Sequence, residues 1–173
     1  MSVRPGVDGP AAGSHETATV PLLAFDLADR RLAIRALDIL EVIRAVEIAR
    51  LPKAPRIVEG VINVRGTLVP VVDVRARFGL PPSPVAPEQH FLVARAGPRS
   101  VALRVDRAVD VMGVPAAAIE NARAVVPETE YVAGIAKLSD GLLVIHDLER
   151  FLSLDEGDAV DTALDRARGR PEP

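Results

Sequence analysis

With 173 residues and 49% hydrophobic content, the chain can build one ordinary domain or two small barrels sharing one unit. Aromatics make up only 3% (no Trp, one Tyr, four Phe) and the formal net charge is −3. The chain therefore lacks both the stacking side chains and the basic field on which nucleic-acid readers depend. Cys is absent, which excludes disulfides, thiol catalysis and thiolate metal sites.

Residues 1–19 are rich in Pro, Gly, Ala and Ser without periodicity and read as a disordered arm; they contain no apolar stretch of a secretory signal. No apolar run approaches the roughly 18–20 residues that span a bilayer, so a cytoplasmic protein is expected, without direct membrane insertion. From residue 20 the pattern is one of short strands. VPLLAFDL (20–27) and RLAIR (31–35) flank a tight turn, and residues 39–42, like 116–121, read as short helical turns. VEGVINVRG (58–66) and TLVPVVDV (67–74) give two more strands joined at Gly66, with Pro70 marking an edge or a bulge. A Pro-rich stretch, residues 81–87, reads as a connector. HFLVA (90–94) and SVALRVD (100–106) then form another hairpin, and YVAGIAKLS (131–139) and GLLVIHDL (141–148) form the last. Asp73 and Asp147, where the apolar pattern breaks, read as N-caps of short helical turns. Residues 156–173 are charged and read as a flexible tail.

The two halves resemble each other. LLAFD (22–26), RLAIR (31–35) and ILEVI (39–43) match FLVAR (91–95), SVALR (100–104) and AVDVM (108–112) at one constant offset. At a second offset, residues 58–78 match 132–152 without a gap, pairing Gly60 with Gly134, Leu68 with Leu142 and Asp73 with Asp147. The expectation is an all-β protein with short helices, made of two superimposable subdomains at about 20–80 and 88–155.

No catalytic constellation accompanies this frame. His15, His90 and His146 are not at metal-ligand spacing. Nucleophile elbows and Gly-rich phosphate loops are missing as well. No metal, no cofactor and no enzymatic activity are expected. What stands out is the turn Asn63-Val64-Arg65-Gly66, where an Arg with five fixed donors interrupts two apolar strands.

GVINVRGTLVPVVDVRARFGL (60–80) closely resembles the signature of the CheW-like adaptor family of bacterial chemotaxis. LLAFDLADRRLAIRALDILEVIR (22–44), LPKAPRIVEG (51–60), ALRVDRAVDVM (102–112) and YVAGIAKLSDGLLVIHDLERFL (131–152) resemble further family segments in the right order. The resemblance implies a CheW-like fold of two five-stranded β-barrel subdomains packed side by side. It implies a non-enzymatic scaffold that couples the signalling tips of chemoreceptors (methyl-accepting chemotaxis proteins) to the regulatory domain of the histidine kinase CheA. Such an adaptor works in receptor arrays, with other CheW-like adaptors as further candidate partners. Carried over by match, Ile39, Glu41, Arg65 and Val111 face the receptor. Asn63 and Gly66 hold the turn in shape, and Gly60 permits a close backbone approach. His146 stands where the family has an aliphatic residue, so its ring is either half exposed or lies in a less dry barrel. Two alternatives are a CheW-like adaptor of a chemosensory-like pathway controlling pili, motility or development, and a double-barrel nucleic-acid module.

Overall fold

The computed structural model describes residues 17–122 and 130–169. Among the described residues, eleven strands are paired into two sheets. They are β1 (Thr19–Leu27), β2 (Arg30–Arg35), β3 (Ile39–Arg44), β4 (Val58–Val64), β5 (Thr67–Val72), β6 (His90–Ala96), β7 (Arg99–Val105), β8 (Arg107–Pro115), β9 (Ile119–Asn121), β10 (Val132–Leu138) and β11 (Gly141–His146). Helix α1 (Val74–Arg77) follows β5 and α2 (Leu154–Ala167) follows β11. Hydrogen-bond order is β8-β1-β2-β11-β10-β9 in a six-stranded sheet and β3-β6-β7-β5-β4 in a five-stranded one.

The internal repeat governs this order down to register. In the five-stranded sheet β5 runs parallel to β7 with Val71 opposite Ala102. In the six-stranded sheet β11 runs parallel to β2 with Ile145 opposite Ala33. These are equivalent residues under the two sequence offsets. Two equivalent bulges also recur, at Val58/Gly60 and at Val132/Gly134. The sixth strand, β9, has a reduced counterpart in the single bridge Ala49 to Val61, which matches the pairing of Glu120 with Ile135. Six strands against five thus reflects one strand that is extended in one copy and shortened to a bridge in the other.

The sheets do not coincide with the sequence halves. Hairpin β1–β2 joins the second-half strands β8–β11, and hairpin β6–β7 joins β3–β5. Residues 81–87 therefore do not separate two sheets, and subdomains cut at 20–80 and 88–155 would each lack one hairpin of their own sheet. The repeat fixes which segments are equivalent. It leaves open which copy of the β1–β2 or β6–β7 hairpin completes which sheet, and both copies exchange.

The expected flexible tail is corrected as well. Residues 154–167 form α2, opened by a capping box in which Ser153 Oγ accepts from the Glu156 amide and Glu156 Oε2 accepts from the Ser153 amide. Val160, Ala163 and Leu164 are buried in the main core cluster at helical spacing. The charges on α2 are also answered. Arg99 Nε donates to both carboxylate oxygens of Asp161 at 3.0 Å and Nη2 donates to Asp158 at 3.3 Å. Gly157 lets that guanidinium lie close, since a Cβ there would sit 2.7 Å from Arg99 Nη1. The first arm residues, 1–16, lie outside the described residues, and β1 begins at Thr19.

The core is aliphatic with three Phe at its centres: Phe25, Phe91 and Phe151 are fully buried. The main cluster draws on both halves, from Leu23 and Phe25 to Leu148 and Leu164. Asp73 Oδ1 accepts from the Ala76 amide and Asp147 Oδ1 from the Glu149 amide, so both are caps at equivalent places. Pro70 is at neither an edge nor a bulge: β5 lies between β7 and β4, Pro70 is in register with Val61 of β4, and the pairing with β7 is registered from Val71 on.

Candidate functional site

Strands β4 and β5 are joined by the two-residue turn Arg65-Gly66, closed by Val64 opposite Thr67. Arg65 has φ 52° and Gly66 φ 86°, the left-handed pair of a type I′ hairpin turn, whose twist matches that of the strands. A non-Gly residue at positive φ is strained. Asn63 offsets this: its Oδ1 accepts from the Gly66 amide at 2.7 Å and locks the turn from within. The result presents Arg65 outward on a rigid tip, with 82% of its side chain exposed.

Arg65 Nη2 donates to Glu41 Oε1 at 3.0 Å. Glu41 sits on β3, directly after a bulge that leaves Leu40 without a partner between Ile39 and Glu41. Residues 39–42, expected as a helical turn, thus belong to a strand along which exposure alternates strictly. Ile39 is half-buried and packs against the main core, whereas Leu40 and Val42 are 50% and 40% exposed beside Glu41. Leu37, in the turn before β3, is 84% exposed. Leu37, Leu40 and Val42 are thus exposed aliphatics next to Glu41 in the chain, which the sequence reading did not select as contacts. The signal that would have found Leu40 and Val42 is the alternation of a strand over 39–44, which reading 39–42 as a helical turn hid.

Gly60 stands at the bulge of β4. A Cβ there would collide with the Ala49 carbonyl oxygen and lie 2.7 Å from Ile48 Cγ2, so only Gly allows the Ala49 backbone to bridge Val61. Val111 is 55% exposed on β8, paired with Leu23 in the six-stranded sheet. Glu41, Arg65 and their support therefore form one constellation on the five-stranded sheet, and Val111 occupies the equivalent of Val42 on the other.

Two polar hubs escaped sequence reasoning because their partners are distant in the chain. Buried Arg104 on β7 donates to Glu59 (2.8 Å), Gln89 Oε1 (3.1 Å) and the carbonyls of Ser83 and Pro84, and so fastens the Pro-rich connector to β4. Burial pushes the Glu59 carboxyl up, and Arg104 opposes the shift. Asp106 accepts two bonds from Arg75 Nη2 and one each from the Ala28 amide and Gln89, which ties the β1–β2 turn to α1 and the connector. Burial alone would raise its pKa, but these donors hold it below the usual carboxylate range.

His146 is buried within an aromatic cluster, with ring centroids 4.8 Å from Phe78 and 6.0 Å from Phe151. Its ring is not half exposed, and neither ring nitrogen has a hydrogen-bond partner. Burial lowers its pKa to about 4; the Tyr131 backbone opposes this without reaching hydrogen-bond geometry. Among the described residues no cluster of His, Asp or Glu could hold a metal ion. No helix among them is long and apolar enough to cross a membrane.

Residues 21–156 match the family model described as the CheW-like domain. The chain belongs to the CheW-like family. It is 31% identical over 148 residues to the chemotaxis protein CheW of Klebsiella aerogenes, covering 84% of this chain and 89% of that one. It is 30% identical to the chemotaxis protein CheW of Helicobacter pylori, covering 84% and 90%. Among solved structures, the scaffolding protein TtCheW from Thermoanaerobacter tengcongensis superposes with a TM-score of 0.73 at 27% identity, covering 80% of this chain and 96% of that one. The CheW-like chain described above is accordingly a non-enzymatic chemotaxis coupling adaptor, whose role in general is to couple chemoreceptors to CheA.

Proposed function

We propose that this chain binds the cytoplasmic signalling tips of chemoreceptors through the β3 edge and the β4–β5 turn, and holds the regulatory domain of CheA on other faces of its sheets within receptor arrays. Glu41 and Arg65 are the polar centre of the receptor contact, Ile39 supports it from the core side, and Val111 extends it on β8. Gly60, Asn63 and Gly66 position the turn. Other CheW-like adaptors are further partners in the same arrays.

The observation that carries this reading is the Arg65–Glu41 pair on its locked turn, on an edge strand that also exposes Leu40 and Val42. An apolar surface with a charged pair at its centre suits a helical-hairpin tip: aliphatic burial supplies free energy at ~25 cal/mol per Å², and the charges set orientation and reject wrong partners. Such a contact transmits a signal only where it differs between receptor states. The experiment is co-purification of the full chain with a receptor-tip fragment and a CheA regulatory domain from the same organism. A ternary complex is expected. Capture of neither partner would reject the proposal.

A further inference from the structure

Each sheet carries the same outward ridge, and α2 covers the ridge of one sheet alone. On the five-stranded sheet Val72 of β5 is registered with Leu103 of β7, so Leu68 and Arg99, at even spacing from them along the two strands, stand on the same face. Leu68, Val72, Val101 and Leu103 pack in or against the main core cluster, together with Val160, Ala163 and Leu164 of α2. Asp158 and Asp161 of the same helix clasp the Arg99 guanidinium at 3.3 and 2.8 Å. Helix α2 thus lies over this end of the ridge.

On the six-stranded sheet the repeat puts Leu142 at the place of Leu68 and Arg30 at that of Arg99. Val144 of β11 is registered with Leu32 of β2, and both pack in or against the main cluster, so Leu142 and Arg30 share that face by the same alternation. Leu142 is 67% exposed, and the exposed Arg30 side chain forms no hydrogen bond or ion pair among the described residues. Both line an open cleft of about 450 Å³ between the β1–β2 and β10–β11 turns. The missing cover has a cause in the sequence. Helix α2 begins at Leu154, whose equivalent is Leu80, and the next residues include Pro81, Pro82 and Pro84, through which no helix continues. That segment is led away instead, with the Ser83 and Pro84 carbonyls accepting from Arg104.

We infer that this cleft docks an amphipathic helix of a partner protein, seated as α2 is on the other sheet, with aliphatic side chains over Leu142 and a carboxylate on Arg30. Helix α2 supplies the pattern: Val160 and Leu164 on its apolar face, with Asp158 and Asp161 beside them to meet the Arg. The other charges of the cleft define the far edge of the occupant. Arg31 is already paired with Asp26, whereas Asp29 and Asp140 are exposed and form no hydrogen bond or ion pair among the described residues, so the helix answers them with a basic side chain. The chain's own α2 is not the occupant, because its apolar face and its aspartates are engaged where it stands. The cleft is on the sheet opposite to the Arg65–Glu41 pair, and its occupancy does not depend on the receptor reading.

The probe is a helix-stabilised peptide with the sequence of residues 153–169, titrated into the full chain. It is expected to bind and to shift the NMR amide signals of Arg30 and Leu142, while those of Arg99 and Gly157 stay in place. Leu142→Ser and Arg30→Glu change exposed side chains; each is expected to keep the wild-type melting temperature and to weaken peptide binding about tenfold. A peptide carrying Asp158→Arg and Asp161→Arg is expected to prefer the Arg30→Glu chain over wild type. Failure of the peptide to bind, binding that Leu142→Ser and Arg30→Glu leave unchanged, or shifts at Arg99 and Gly157 in place of Arg30 and Leu142 would each overturn the inference. The last of these would mean that the peptide replaces α2 in its own seat. Self-association of the chain that both variants abolish would make a second copy the occupant and would overturn it too.

Discussion

Glu41 on β3 and Arg65, in the turn that follows β4, belong to opposite ends of the hydrogen-bond order of the five-stranded sheet, yet Arg65 Nη2 reaches Glu41 Oε1 at 3.0 Å. The sheet curls until its edge strand β3 meets the tip of the β4–β5 hairpin, and the pair sits on that seam. With 82% of the Arg65 side chain and 27% of that of Glu41 exposed, the pair contributes roughly 0–1 kcal/mol to stability. A weak internal pair on a rigid turn is well suited to recognition, because its partners can be re-engaged at little cost.

The equivalent glycines Gly60 and Gly134 should respond unequally to Ala. At Gly60 the new Cβ meets the Ala49 backbone carbonyl head-on; at Gly134 the nearest atoms, Glu120 O and Ile119 Cγ2, are 3.0 Å away. Gly60→Ala is expected to cost more than about 3 kcal/mol and Gly134→Ala about 1–2 kcal/mol, from strain and overpacking. Urea melts of both variants check the order. Equal losses would mean that the Ala49 bridge moves aside freely.

Asp73→Ala and Asp147→Ala each remove a side-chain cap and should lower the unfolding free energy by about 0.5–2 kcal/mol without changing partner binding. Thermal melts together with the co-purification assay decide this. Lost binding with unchanged stability would show that a capping Asp belongs to an interface.

His146 makes stability depend on pH. Its pKa falls from 6.5 to about 4 on folding, so between those values the unfolded chain binds the extra proton and the folded chain does not. The stabilising difference is complete above about pH 6.5 and is lost as pH falls toward 4, a change of up to about 3 kcal/mol. His146→Leu removes two buried nitrogens that have no partner. It is expected to raise stability at pH 7 by about 1 kcal/mol and to flatten the pH 4–6.5 slope. Denaturant melts across that range report both effects; an unchanged slope would place the acid sensitivity elsewhere.

Most strands, the caps and the Asn63–Gly66 turn were legible because each rests on residues within a few positions of one another, and the repeat because whole segments match in order; β3 and β9 were not, since 39–42 and 116–121 read as helical turns. The exchange of hairpins was not, since equivalence of LLAFD with FLVAR says nothing about which sheet each joins. Helix α2 was hidden by its charges: Val160, Ala163 and Leu164 carry the apolar face, while Asp158 and Asp161 look like solvated tail until Arg99 is found between them. Arg104 and Asp106 were invisible for the same reason, because their partners come from four segments of the chain. At the candidate site, Glu41 and Arg65 were read from the family resemblance. The exposure of Leu40 and Val42 follows the alternation of β3, which reading 39–42 as a helical turn obscured.

The receptor reading is tested most directly by the affinity of a receptor-tip fragment for wild type, Arg65→Ala and Glu41→Ala, measured alongside denaturant melts and binding of the CheA regulatory domain. Both variants should unfold within about 1 kcal/mol of wild type, since an exposed pair is lost and no cavity opens. Both should bind the receptor fragment about tenfold more weakly, while the kinase domain is affected less. Unchanged receptor affinity in folded Arg65→Ala and Glu41→Ala proteins would contradict the account and leave the pair as a clasp closing the sheet.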